Sequence, residues 1–344
     1  AAQTPLPLSQ HTIAEFQRRY GYDIVKHLPS LFADVGDYRK VRFDYWQLLH
    51  HLWKENFMQP LGEWCGKHGL ALTGHYMEHE WPAPFITPDD MSLYACMQIP
   101  GIDLLLTTLL KPDRRYDGYS LINDDTHILL TMRMLLSAVN QLGKSRALAE
   151  MWGAGGWDST IEDYKRMGDW ALAHGINFFN PHLSYVTTRG ARKRDHPQSF
   201  SDHSAWWNEI RGLNDRIGRL SYILSQGTMQ NRVLVLQPTT SAFLFTKIDK
   251  EANAEFDRMR KEHGALVQGL CDNQIDFDLG DEYLLEEHGR AKKGKLIVGK
   301  GKYDFVVIPP SMMNMRHQTV LLLEKYLKSG GEVLALSSPP QWID

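Results

Sequence analysis

GKSRALAEMWGAGGWDSTIEDYKRMGDWALAHGINFFNPHLSY, residues 143–185, carries the pattern that decides the fold. A helical stretch at 125–142 stops at Gly143, and SRALAEMWG then reads as a short apolar strand. A polar, glycine-rich loop follows. A second helix at 159–174 stops at Gly175, ahead of the strand opening INFFNPHLSY. Glycine just past a helix marks a stop because it accepts left-handed backbone without steric cost. Helix, stop, buried strand and polar loop form the αβ unit of a parallel sheet, whose functional side chains gather on loops after strand C-termini.

Outward from this stretch the unit recurs. Residues 11–35 and 43–69 read as amphipathic helices, the second closing with Lys67-His68-Gly69 before a short strand in LALTGHYMEHE, 70–80. PGIDLLL at 100–106 is one more strand, which gives about four before a long helix at 204–227. A closed barrel needs eight strands, and the chain enters directly into helix. The expectation over residues 1–230 is therefore the C-terminal part of a (β/α)8 TIM-type barrel with its N-terminal strands missing. After Gly227 come RVLVLQPTT, a charged helix near 246–270, QIDFDL, KYDFVVIPP, HQTVLLLEKYLKSGG and EVLALSSP. These predict a flavodoxin-like, doubly wound α/β domain over 231–344, truncated just past a strand. No G-x-G-x-x-G follows its first strand, which argues against a dinucleotide.

Composition fits this class. Of 344 residues 43% are hydrophobic and 23% charged, ordinary globular values, and the net charge of -3 gives no field to attract nucleic acid or an anionic membrane. Arg189, Arg192, Lys193 and Arg194 form the one dense basic run. Cys65, Cys96 and Cys271 match no metal spacing and no disulfide framework, so they read as buried thiols. The sequence has no apolar run of membrane-spanning length, and AAQTPLPLSQ lacks the charged and apolar regions of a signal peptide.

Three clusters can carry chemistry. In Gly74-His75-Tyr76-Met77-Glu78-His79-Glu80, extended backbone puts Glu78 and Glu80 on one side as a carboxylate pair; a solvated loop is the plain alternative. His75, His79 and Glu80 loosely resemble a zinc cluster, but without the helical register that such histidines use. In Ala149-Glu150-Met151-Trp152-Gly153-Ala154-Gly155-Gly156-Trp157, a lone carboxylate ends an apolar strand beside aromatic and small residues. That combination suits sugars, whose C–H faces stack on aromatic rings while carboxylates handle protons; a capping glutamate on a turn is the alternative. His182 and Tyr185 lie beyond the next strand, placed to hydrogen-bond sugar hydroxyls, unless His182 is a core histidine. Trp206 and Trp207 read as a binding platform or as helix core.

Taken together, YGYDIVKHLPSLF, WCGKHGLALTGHYMEHE, the PGID segment, the 143–185 stretch, RGARKRDHP and RLSYILSQG resemble family 106 glycoside hydrolases, large bacterial carbohydrate-active enzymes. The resemblance spans most of residues 15–240. It implies α-L-rhamnosidase activity on plant-type oligosaccharides or polysaccharides, inversion, calcium at the active site, and a periplasmic or extracellular location. It makes Glu150 a catalytic carboxylate and gives the Glu78/Glu80 loop a second acid or a substrate or calcium ligand. Substrate contacts fall to His75, Trp152, Trp157, His182, Tyr185 and Arg192. An acidic strand that precedes the Y-G-Y-D helix in the family is absent here. The α/β domain resembles the glutamine-amidotransferase-like module of family 42 β-galactosidases, which serves assembly, so self-association through it is expected. It has no cysteine in a nucleophile-elbow context. The alternatives are a retaining β-galactosidase-like enzyme, a carbohydrate-binding or assembly protein without catalysis, and a zinc hydrolase.

Overall fold

The computed structural model of the chain describes residues 6–77, 81–105, 125–153, 155–194, 198–248 and 254–343. The N-terminal part is helical: α1 (Gln10–Tyr20), α2 (Leu28–Phe32), α3 (Tyr38–Trp53) and α4 (Gln59–Lys67). The single helix expected at 11–35 is broken. Gly21 takes φ +78° and its N–H bonds back to the Gln17 carbonyl, closing α1 in a left-handed cap. Further on, α3 and α4 join through a single π turn, Lys54–Met58.

A first parallel sheet then forms from β1 (Thr73–Gly74), β2 (Ile99–Leu105), β3 (Leu148–Gly153) and β4 (Phe178–Pro181), hydrogen-bonded in chain order. Between these strands lie α5 (Asp90–Tyr94), α6 (Asp125–Leu142) and α7 (Ile161–His174), and α8 (Ile210–Leu224) follows them. The start of α7 shows why the chain becomes helical there. Thr160 accepts the Asp163 N–H while Asp163 accepts the Thr160 N–H, a reciprocal capping box. Its other end is the Gly175 stop, at φ +116°.

The second half builds β5 (Val233–Leu236), α9 (Thr239–Phe243), α10 (Ala254–Asp272), β6 (Phe277–Gly280), α11 (Glu282–His288), β7 (Gly289–Lys292), β8 (Lys295–Val298), β9 (Gly301–Tyr303), β10 (Phe305–Ile308), β11 (Asn314–Met315), α12 (His317–Lys328), β12 (Glu332–Ala335) and β13 (Trp342–Ile343). Its parallel sheet runs β12-β10-β5-β6. In order of appearance in the chain that is 4-3-1-2. KYDFVVIPP is not one strand: Gly301–Tyr303 and Phe305–Ile308 belong to different sheets. The former joins the antiparallel sheet β7-β8-β9, whose first hairpin turns on Lys293 (φ +52°) and Gly294 (φ +69°).

Helix α6 lies between the two parallel sheets. It packs on β2 and α5 to one side and on β6 and α10 to the other. One buried cluster accordingly runs from Ile102, Met151 and Leu135 through to Val235, Phe277 and Leu279. β6 is an edge strand, and α6 covers its open side: the Leu279 N–H donates to Ser137 Oγ at 2.8 Å, and Gln141 Nε2 donates to the Leu279 carbonyl at 2.8 Å. A second cluster joins the N-terminal helices, through Phe16, Trp46 and Leu48, to Phe243, Leu244 and Ile248. Among the described residues no helix is long and apolar enough to cross a membrane.

Candidate active site

Glu150 sits on β3 between Ala149 and Met151, both fully buried. Side chains alternate across a strand, so those two point into the core and Glu150 points to the other face. Register extends this face sideways: Asp103 of β2 pairs with Glu150, which pairs with Asn180 of β4. In a parallel sheet the three occupy one face on adjacent strands about 4.8 Å apart.

Two histidines meet Glu150. His75, just beyond β1, places Nε2 3.0 Å from Oε2. His182, just beyond β4, places Nε2 3.5 Å from Oε1. Each carboxylate oxygen thus faces an imidazole. His182 is fixed by its own N–H, which donates to the Met151 carbonyl at 2.9 Å. Gly101, the residue on β2 paired with Leu148, lies against Gly74 at the end of β1, just ahead of His75. A Cβ there would come within 2.9 Å of both the Gly74 carbonyl oxygen and Leu148 Cδ2. Glycine is what lets β1 approach this closely.

The proton inventory of His75 follows from its other nitrogen. Nδ1 lies 3.0 Å from the Tyr76 carbonyl oxygen, which only accepts, so Nδ1 carries hydrogen. Nε2 then either accepts a proton from a protonated Glu150 or, as imidazolium, donates one to its carboxylate. Asp103 adds a second carboxyl: burial, reinforced by the charge of Glu150 and opposed by His75, pushes it up to about 6.

The other expected residues divide. Trp152 is corrected from substrate contact to core. It is 1% exposed, packs against Tyr164, Phe179 and Phe200, and donates its indole N–H to the Tyr164 carbonyl. Its φ of +69° turns the chain after Glu150 and carries the side chain behind the sheet. Trp157 is 40% exposed and donates to the Lys193 carbonyl at 2.7 Å, which ties the glycine-rich loop to the basic run. Arg192 lies exposed on that run, in the short turn Gly190–Lys193. Tyr185 is half-buried, its N–H bonded to Ser199 Oγ. Trp206 packs edge-on against Tyr164 and is core rather than platform, whereas Trp207 keeps 37% exposure. Glu78, His79 and Glu80 lie outside the described residues.

Calcium prefers shells of six to eight oxygens. Around Glu150 the described neighbours are two imidazole nitrogens and the Asp103 carboxyl, which by themselves are not such a shell. Among the described residues no three His, Cys, Asp or Glu side chains are grouped to hold a metal ion. The described residues do not fit calcium, and no chemistry is derived through it. Asp103 was missed in reading the sequence. Its signal is the one that marked Glu150, a single carboxylate in an otherwise apolar strand.

The glycoside hydrolase 106 family, described as alpha-L-rhamnosidase, has a model that matches residues 8–341. The chain belongs to this family. It is 26% identical over 335 residues to a putative beta-glucuronidase of Formosa agariphila, covering 93% of this chain and 25% of that protein. Among solved structures it is similar to a rhamnosidase from Novosphingobium sp. PP1Y, with a TM-score of 0.67 at 18% identity over 95% of this chain and 30% of that one. It is also similar to a beta-galactosidase from Rahnella sp. R3, with a TM-score of 0.57 at 12% identity over 94% and 47%. These likenesses show an α/β fold of the TIM-barrel glycosidase type. The family 106 chain spans a quarter to a third of the length of its relatives from Formosa and Novosphingobium.

Proposed function

We propose that this chain is the later part of the catalytic barrel of an inverting α-L-rhamnosidase, in which Glu150 is one of the two carboxyl groups that act across the glycosidic bond. The observation that carries the reading is the setting of Glu150: a carboxylate on the open face of β3 with an imidazole Nε2 facing each oxygen. Glycoside cleavage needs one group to protonate the leaving oxygen and another to activate water or attack carbon, both stabilising an oxocarbenium-like transition state. The Glu78/Glu80 loop leads on from His75 and supplies the second carboxyl. His75, His182, Asn180 and Tyr185 bond sugar hydroxyls. Residues 231–344 form a flavodoxin-like module, supported by the 2-1-3-4 parallel strand order, and mediate self-association. The enzyme meets its plant-type polysaccharide in the periplasm or outside the cell.

Turnover of an aryl α-L-rhamnoside by the full-length enzyme tests this. Glu150→Gln keeps the shape of the side chain and removes its proton exchange, so kcat is expected to fall by about 10²–10⁴ with the fold intact. Undiminished turnover by a folded Glu150→Gln protein would sink the assignment. A retaining β-galactosidase-like reaction is the second reading, favoured by the fold shared with the Rahnella enzyme. The anomer first released, followed by NMR, separates the two.

A further inference from the structure

We propose that Trp157 and the basic turn carrying Arg189, Arg192, Lys193 and Arg194 form a subsite for an acidic sugar residue, a uronate or a sulfated sugar, on the rim of the Glu150 site, so that the polysaccharide substrate is anionic. This deepens the reading of Glu150 as a reacting group and rests on it. The observation that carries it is a contact between two loops 36 residues apart in sequence: Trp157 Nε1 donates to the Lys193 carbonyl at 2.7 Å. With its N–H so used, Trp157 stays 40% exposed. The four cations are exposed on and beside the Gly190–Lys193 turn, and among the described residues none of them is ion-paired with a carboxylate. Even with Asp158 and Asp195 as sequence neighbours, four cations against two acids leave this rim positive, in a chain whose net charge is -3. An aromatic face beside cations matches an acidic sugar. The C–H groups of the ring stack on indole, while the planar fork of a guanidinium bonds two oxygens of a carboxylate or sulfate.

Both loops set out beside Glu150 and are anchored. The loop after β3 reaches Trp157 seven residues past Glu150, at most about 25 Å of extended chain. Ser159 Oγ pins it by donating to the Gly155 carbonyl at 2.7 Å. The segment after β4 leaves through His182, which faces Glu150 Oε1. Its base is closed by the Phe200 N–H on the Leu183 carbonyl at 2.9 Å, Ser184 Oγ on the Phe200 carbonyl at 2.9 Å, and the Tyr185 N–H on Ser199 Oγ at 3.0 Å. The basic turn lies between these ends and is itself closed by the Arg194 N–H on the Ala191 carbonyl at 2.8 Å. Loops that follow strand C-termini frame one end of the sheet, so a chain whose terminal sugar lies at Glu150 meets this rim with a neighbouring residue. A rim already held in place loses little freedom on binding.

The test is affinity electrophoresis of the 344-residue chain in gels that contain polygalacturonate, its carboxyl-reduced form or a sulfated galactan, with single-stranded DNA as the polyanion control. Retardation by polygalacturonate or by the sulfated galactan, and by neither the carboxyl-reduced polymer nor DNA, is expected; which of the two binds names the anion. Replacing two cations together, Arg192→Gln with Arg194→Gln, should weaken that binding roughly tenfold or more. Trp157→Ala keeps all four cations and should weaken it about three- to tenfold, which adsorption by charge alone does not predict. Binding to neither acidic polymer, equal binding of the neutral polymer or of DNA, or unchanged affinity in a folded Trp157→Ala protein overturns the proposal. Should Trp157→Ala not fold, the arginine variant decides, and unchanged affinity there overturns it as well. None of these readouts needs turnover, so they fail separately from the Glu150→Gln experiment.

Discussion

Asp278 on β6 offers a measurable link between pH and stability. It is 2% exposed, and three donors converge on it: Tyr303 Oη at 2.7 Å, Asn140 Nδ2 at 2.6 Å and Asn231 Nδ2 at 2.7 Å. Those bonds favour the carboxylate, yet burial outweighs them and pushes the group from 3.8 to about 6. An acid that holds its proton more tightly folded than unfolded stabilises the fold below its unfolded value. That contribution is lost as pH rises from 3.8 through 6. Roughly two pH units at about 1.4 kcal/mol each give a total near 3 kcal/mol. About 2 kcal/mol of this falls between pH 4.5 and 7.5. Asp103 and Glu282, pushed to about 6 and 7, add slopes of the same sign, so the parent alone does not isolate Asp278. Asp278→Asn does. The amide loses hydrogen bonds at a cost of about 1–3 kcal/mol that does not vary with pH, and it abolishes the titration. Urea unfolding of both proteins at the two pH values should show the parent's excess stability shrinking by about 2 kcal/mol from pH 4.5 to 7.5. Curves that stay parallel across this range would refute the reasoning and mean that Asp278 is ionised throughout.

Two further substitutions probe how the barrel half is built. Gly101→Ala puts a methyl carbon 2.9 Å from the Gly74 carbonyl oxygen, so β1 must move away from β2. A loss of roughly 1–3 kcal/mol in denaturant unfolding and a broken His75–Glu150 contact in a crystal structure are expected; unchanged stability would show that the β1 edge yields freely. Thr160→Ala removes the cap of α7 and should cost about 1 kcal/mol by the same measurement, whereas no loss would mean that Asp163 and solvent suffice.

Much of the barrel half was legible because its helices end in glycine and its strands are short apolar runs between polar loops. Gly143 at φ +66° and Gly175 at φ +116° fulfil the stops read from sequence, and Glu150 emerged as the odd carboxylate of its strand. Asp103 carried the same signal and was passed over, since nothing in sequence reveals that β2 and β3 align it with Glu150. Trp152 misled for a related reason. An aromatic beside a catalytic carboxylate suggests a sugar platform, and only its positive φ sends it behind the sheet. The β7–β8 hairpin went unread because its turn is Lys-Gly, where asparagine or aspartate more often supplies the first left-handed residue. Ser137 and Gln141 looked like ordinary polar positions of a helix. Their partner is the backbone of a strand 138 to 142 residues away.

That last arrangement bears on modularity. A helix with one sheet on each flank is held from both sides, and its hydroxyl and amide complete the ladder of a strand in the other half. Severing the chain near residue 230 would leave the apolar flank of α6 bare and its polar groups without their strand. Exchange of either half between homologues, by evolution or in the laboratory, is therefore expected to succeed only when α6 travels with β6 as one inherited piece.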